Sequence, residues 1–248
     1  MVDHWKSSEY LFNFFGSEKF RVDVSAYRNH FLYFKGKDTH HLYHNRSGDG
    51  PWIPPTTNVE MTFQEWYDTV IKEMEKPFSE RTFYYLQAKG ISFSDPLFKE
   101  LSFFHPDNSL SSNFLHNQEE INGIHCRFGM PGIVAEAHFD GHLNMAGAFG
   151  GIRRWILAHP NQCGSLYLHP RGHPSGRHSE FDWATVDYEK YPKFKTAQAS
   201  EVITTGGMVL YLPSNWFHYI VSLNVNYQCN IRSGRTKTYD QIIQACGF

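Results

Sequence analysis

What this 248-residue chain lacks narrows the field before anything it contains. No apolar run reaches the length of about eighteen residues that a membrane-spanning helix requires, so no membrane partner is expected. The opening residues, MVDHWKSSEY, lack the basic and then apolar pattern of a secretion leader. The expectation is a soluble intracellular protein, cytoplasmic or nuclear. Asn45-Arg46-Ser47 fits a glycosylation sequon but carries little weight without a leader. Cysteine is scarce: Cys126, Cys163, Cys229 and Cys246 stand far apart, and no two form C-x-x-C. Zinc-ribbon and thioredoxin-type readings lose their usual support, and four free thiols in a reducing compartment are expected. Long Lys/Arg runs are absent and the net charge is −2, so no nucleic acid is expected as a partner. There is no internal repeat and no low-complexity tract.

Aromatics, by contrast, are dense at 17%, with 21 Phe and 14 Tyr, which points to a folded core rather than disorder. Residues Ser7 to Phe15 read as a short helix ended by Gly16. Phe20–Val24 and Phe31–Phe34 read as strands, and Asn45–Asn58, rich in Gly, Pro, Ser and Thr, as a surface loop. The clearest helix starts at Thr62, where Thr62-x-x-Glu65 spells a capping box. Phe63, Trp66, Tyr67, Val70, Ile71 and Met74 then give it one apolar face, and Pro77 closes it.

Phe83–Gln87 reads as a strand and Pro96–Leu101 as a helical turn. Beyond Gln118 come eight short strands separated by Gly and Pro: Ile121–Phe128, Ile133–His138, Arg153–Ala158, Ser165–Leu168, Glu201–Thr205, Met208–Leu212, Tyr219–Leu223 and Tyr227–Arg232. That pattern predicts a mainly β sandwich or barrel. A last helix is expected over Tyr239–Ala245. The reading is one domain, 1–248: an α/β region over 1–120 packed on a β core over 121–235, then the final helix.

The chemistry starts at Ala137-His138-Phe139-Asp140-Gly141-His142-Leu143-Asn144. On an extended segment, residues i and i+2 project to one side, so His138 and Asp140 can face a single metal ion. A third ligand must come from the other histidines. His40, His41 and His44 sit beside a loop, and His169, His173 and His178 sit in a Pro/Gly-rich insertion. His218 instead opens an apolar strand, where a ligand is held rigidly. His142 is read as a bystander, either supporting a ligand from behind or facing solvent.

His138-x-Asp140, followed 80 residues later by His218 in Pro213-x-x-Trp216-x-His218, resembles the JmjC and related cupin-fold oxygenases. The resemblance implies a double-stranded β-helix (jelly-roll) core, with His138, Asp140 and His218 as the two-histidine, one-carboxylate triad for Fe(II). It also implies 2-oxoglutarate and O2 as co-substrates: O2 oxidises 2-oxoglutarate to succinate and CO2 and supplies the oxygen that hydroxylates a C–H bond. From Phe83 to Arg232 the chain is most similar to the factor-inhibiting-HIF type of protein hydroxylase. The segment HPSGRHSEFDWATVDYEKYPKF matches a run of that subgroup, with Val186 where it has proline.

Carried over position by position, Arg153 stands where the subgroup has a lysine for the distal carboxylate of 2-oxoglutarate. Tyr85 stands where a tyrosine hydroxyl assists, Asn144 and Asn230 line the pocket, and Gln87 falls on the substrate side. Ala135 replaces a threonine that contacts the co-substrate. Arg154, next to Arg153, should point the opposite way by strand alternation.

The resemblance makes a protein or peptide side chain the first choice of substrate. Rival readings are the same chemistry on N-methyl-lysine, a tRNA base or a small molecule, a cupin enzyme that uses no 2-oxoglutarate, and a non-catalytic binding module. The oligomeric state is left open.

Overall fold

Two antiparallel sheets face each other across a lumen in the computed structural model, which describes residues 2–25, 28–34, 40–44 and 50–248. The larger sheet is built from β1 (Lys19–Ser25), β3 (Thr57–Thr62), β4 (Phe83–Gly90), β5 (Ile121–Gly129), β7 (Asn144–Gly150), β10 (Val209–Leu212) and β12 (Asn226–Ser233). Its spatial order is β10-β7-β12-β5-β4-β1-β3. The smaller sheet runs β2-β6-β11-β8-β9, from β2 (His30–Phe31), β6 (Val134–Phe139), β8 (Ile152–Ala158), β9 (Ser200–Thr205) and β11 (Phe217–Ser222). All pairs are antiparallel except β2 with β6. This is the expected mainly β, jelly-roll architecture.

Alternation along the strands gives the large sheet two unlike faces. On the outer face Val22, Leu86, Phe128, Cys229 and Ile231 are buried with helices α1 (Val2–Trp5), α2 (Ser8–Phe15) and α3 (Phe63–Met74). Trp5, Phe15, Phe63 and Trp66 fill the space between. Phe128 stacks on Trp5 and meets Phe63 edge-on. Each such side chain contributes roughly 1.5–3 kcal/mol by leaving water. The inner face is polar and turned toward the lumen: Arg21, Asp23, Tyr85, Gln87, Arg127, Gln228 and Asn230 share it through their cross-strand register.

Helix α3 begins at the expected capping box. The Thr62 hydroxyl accepts from the Glu65 N–H at 3.1 Å, and the Glu65 carboxylate accepts from the Thr62 N–H at 2.8 Å. Its buried arc is rotated from the one read in sequence. Ile71 is 39% exposed while Glu73 is buried, because at 100° per residue Ile71 falls off the arc that Phe63, Trp66 and Val70 define. Glu73 is satisfied there by Lys76 and by the Thr82 N–H.

Four further expectations are corrected. The strand at Phe31–Phe34 shrinks to His30–Phe31. Ser165–Leu168 is no strand: Pro160–Ser165 is a 3-10 turn started by a proline. Strand β7 goes unseen in the sequence because Asn144-Met145-Ala146-Gly147-Ala148 has low β propensity, and pairing on both sides imposes the conformation. The loop over 45–58 gives way to β3 at Thr57, and residues 45–49 with the sequon lie outside the described residues. Short helices α4 (Pro96–Glu100) and α5 (Asp240–Ala245) fall close to where they were expected.

The four cysteines are not free thiols. Cys126 joins Cys229 across β5 and β12, where the register sets them opposite each other, and Cys163 joins Cys246, tying the insertion after β8 to α5. Among the described residues no helix is long and apolar enough to cross a membrane.

Candidate metal centre and co-substrate pocket

The edge where β6 meets β11 brings together residues far apart in sequence. His138 pairs in register with His218 and Phe139 with Phe217, but the next pairs inward are Ala135 with Ile220. One extra residue on β6 therefore forms a bulge. A bulge re-aims the side chains around it, and here both imidazoles reach the same side while Phe139 and Phe217 pack outward. The His138 and His218 rings lie 4.2 Å apart, and Asp140 follows at the end of β6. One ligand atom from each of His138, Asp140 and His218 lies within 4.8 Å of the others.

Local hydrogen bonds choose the donor atoms. His138 Nδ1 bonds the Glu136 carbonyl at 2.7 Å, and His218 Nδ1 bonds the Trp216 carbonyl at 3.1 Å. With Nδ1 committed as donor, Nε2 of each ring is left as a lone-pair ligand. Burial lowers His138 to about 3, with the neighbouring His218 adding to the effect. Burial also lowers His218, so both rings are neutral at physiological pH. Burial alone would raise Asp140, but Arg232, His138, His218 and Arg177 together hold it well below the usual carboxylate range. Two neutral imidazoles and one carboxylate are the donor set that suits a divalent transition metal with open positions.

Asp140 is held from three directions, two at its carboxylate and one at its backbone carbonyl. Arg232 donates to one oxygen at 2.5 Å and Arg177 to the other at 3.1 Å. The Asn215 N–H donates to the Asp140 carbonyl at 2.7 Å. Asn215 and Arg177 both adopt left-handed backbone, φ 68° and 74°. Asn tolerates that readily, whereas Arg does so only where its surroundings compel it. Arg177 belongs to the insertion, which runs along the β6 edge beyond β2: the Phe139 N–H donates to the Arg177 carbonyl and the Ser179 N–H to that of Ala137. His178, fully buried, stacks on His138 at 4.8 Å.

Deeper in the lumen, Arg153 projects inward from β8 and is 3% exposed. Its Nε donates to Asn226 Oδ1, one Nη to Gln228 Oε1 at 2.9 Å and the other to the Arg127 carbonyl at 3.1 Å. Those bonds use three of its five N–H groups and leave one on each terminal nitrogen. The Tyr85 ring lies 5.8 Å from the guanidinium carbon. Asn230 donates to Asn144 at 2.9 Å, on the strand that carries Gln228 beside Arg153 and Arg232 beside Asp140. Gln87 bonds Asp23 farther out on the same face. Ala135 packs with Trp155 and Ile220, adding no polar group. Arg154 points outward onto Glu201, as alternation requires. His142 is exposed.

Reading the sequence did not pick out Arg232, Arg177 or Arg127, and it named His178 only among the histidines passed over for His218. Arg232 had a signal: it follows Asn230 by two on one strand, hence on one face. Arg177 had none outside the insertion motif, since its loop conformation decides where it points.

A cupin-like domain model matches residues 1–232, nearly the whole chain. This chain belongs to the cupin-like domain family. Its relatives include JmjC proteins. It is 27% identical to human tRNA wybutosine-synthesizing protein 5 over 180 residues, 69% of this chain and 54% of that protein. It is 28% identical to JmjC domain-containing protein D of Dictyostelium discoideum over 112 residues, 45% of this chain and 25% of that protein. It is 24% identical to lysine-specific demethylase JMJ30 of Arabidopsis thaliana over 136 residues, 53% of this chain and 30% of that protein. The cupin-like chain thus spans from a quarter to about half the length of these relatives. They do not share one substrate type, so similarity alone leaves the specificity of this family member to its own residues.

Proposed function

We propose that this protein is an Fe(II)- and 2-oxoglutarate-dependent dioxygenase that hydroxylates a C–H bond, with a protein side chain as the preferred substrate. The observation that carries this reading is the convergence of three metal-competent donors at the end of a lumen whose deeper wall presents a buried, incompletely satisfied arginine. Iron, when bound, supplies the redox chemistry that couples oxidation of 2-oxoglutarate to succinate and CO2 with oxygen insertion into substrate.

The chain's own residues do the positioning. His138, His218 and Asp140 would hold iron, and the Nδ1 bonds to backbone carbonyls keep the rings from turning. Arg232 and Arg177 keep Asp140 ionised and fixed in direction. Arg153 would take the distal carboxylate of 2-oxoglutarate with its two remaining N–H groups, beside Tyr85. Asn144 and Asn230, already bonded to each other, would line the space between anchor and metal. Trp155, Ile220 and Leu212 close the apolar side of the lumen and exclude water.

Purified protein, reconstituted anaerobically with Fe(II) and 2-oxoglutarate and then given oxygen, should release succinate. Asp140→Ala and His218→Ala should each lower that release at least about a hundredfold, the scale of losing a metal ligand outright. Absence of succinate from wild type, together with no spectral change when 2-oxoglutarate is added to the Fe(II) protein, would count against the oxygenase and favour a non-catalytic binding module. The similarity to a tRNA wybutosine-synthesizing protein supports a second reading, the same chemistry on a modified tRNA base.

A further inference from the structure

The inner face of the large sheet does not end at the metal. Two rows of side chains run outward from β12 across β5, β4 and β1, fixed by the register. One is Gln228, Arg127, Gln87 and Arg21; the other is Asn230, His125 and Lys89. Arg232 stands at the inner end. Exposure rises outward: Gln228 and Asn230 are buried, Arg127, His125 and Gln87 half-buried, and Lys89 and Arg21 exposed. The two rows therefore form a ramp from solvent to the metal ligands.

The ramp is short of negative charge. Its one carboxylate, Asp23, is already engaged by Arg21 at 2.8 Å and by Gln87. Asp140, at the inner end, is engaged by Arg232 and Arg177. Among the described residues Lys89 makes no ion pair, and the Arg127 guanidinium donates to the neighbouring Cys126 carbonyl. Arg232 Nε is buried without a hydrogen-bond partner. The cations lie close enough to repel one another: Arg127, Arg21 and Arg232 all add to the burial that lowers Lys89. Glu60, opposite Arg21 on β3, is where the sign changes.

We infer that this ramp is the substrate-docking surface, and that its occupant is an extended peptide bearing Asp or Glu within a few residues of the target side chain. The inference rests on the oxygenase reading for calling that occupant a substrate. Strands lie about 4.8 Å apart, so β12 to β1 is roughly 14 Å, which an extended peptide at about 3.3 Å per residue covers with about five residues. Gln87, half-buried between Arg127 and Arg21 in its row, can pair its amide with a peptide group between carboxylates. A nucleic-acid strand fits less well. It needs a broad basic surface and exposed rings for stacking, whereas the chain is net negative and the ramp's aromatic, Tyr85, is buried.

Fluorescence anisotropy on the full chain tests this without turnover, using labelled dodecamers of glutamate, of lysine, of alternating Gly-Ser and of uridine. The glutamate peptide should bind about tenfold or more tighter than Gly-Ser, weaken as salt rises, and lose about tenfold affinity with Lys89→Glu and less with Lys89→Met. Lys89 is exposed, so circular dichroism of both variants should match wild type. Glutamate binding no tighter than Gly-Ser, unchanged affinity in Lys89→Glu, or tighter binding of oligouridine would each overturn the inference. Because no succinate is measured, a protein that binds polyglutamate but makes no succinate would sink the oxygenase reading and leave the surface standing. An active enzyme indifferent to polyglutamate would do the reverse.

Discussion

Arg153 reaches the lumen already bonded to three oxygens, those of Asn226, Gln228 and Arg127. A buried guanidinium needs such partners, since an unpaired charge there would be costly. The same bonds fix the plane of the fork, so its two spare N–H groups are aimed before any carboxylate arrives. Lysine cannot copy this, having three donors on a point charge and no plane. Arg153→Met should therefore raise the KM for 2-oxoglutarate at least about tenfold, with Arg153→Lys falling between it and wild type. Succinate release against 2-oxoglutarate concentration measures both. An unchanged KM in Arg153→Met would move the anchor elsewhere in the pocket.

At the scale of elements, the site depends on what borders β6. Its outer edge is shared: β2 pairs with Val134 and Ala135, and the insertion takes over alongside Ala137 to Phe139. The insertion thereby places Arg177 on Asp140 and His178 on His138. Two disulfides brace this arrangement. Cys126–Cys229 locks β5 to β12, the strands that carry Arg127, Asn230 and Arg232, and Cys163–Cys246 ties the insertion to the last helix. Thiol titration of protein unfolded without reductant should find no reactive cysteine, and four after reduction. Since Cys126–Cys229 closes a separation of 103 residues, the double change to alanine should destabilise by about 2–5 kcal/mol in urea unfolding. Four titratable thiols before reduction would restore the free-thiol expectation.

For the whole molecule, histidines kept neutral by partial or full burial shape the response to acid. Burial lowers His125 to about 4, opposed by the Asn122 carbonyl and reinforced by Arg127, Arg232 and Lys89. Burial, with the nearby His40, lowers His173 to about 4. An unfolded chain takes up protons at these positions as pH falls through 6.5, whereas the folded chain holds them neutral until about 4. Across that window the unfolded state binds more protons, so stability rises with pH up to about 6.5 and falls on acidification. Urea midpoints measured between pH 7 and pH 4.5 should drop steadily. His125→Gln should flatten the slope. A midpoint independent of pH would mean that both rings are charged or solvated in the folded protein.

The sequence by itself determined the local and periodic features. The Thr62 capping box, most of the short strands after Gln118 and the projection of His138 and Asp140 from one segment are set by neighbours a few residues apart. They need no knowledge of distant chain. Even Arg232 was legible in principle, two residues from Asn230 on one strand. The tertiary structure decided what depends on pairing between distant segments. Pairing on both sides made a strand of Gly/Ala-rich Asn144–Gly150 against its own propensity. The β6 bulge turned His138 toward His218, and cross-strand register set Cys126 against Cys229. The loop after β8 delivered Arg177 to Asp140. A register is a property of two strands, so neither sequence segment contains it alone. The basic ramp shows this most plainly, for Arg21, Lys89, Arg127 and Arg232 are scattered over 211 positions of an acidic chain and become one surface only when four strands align.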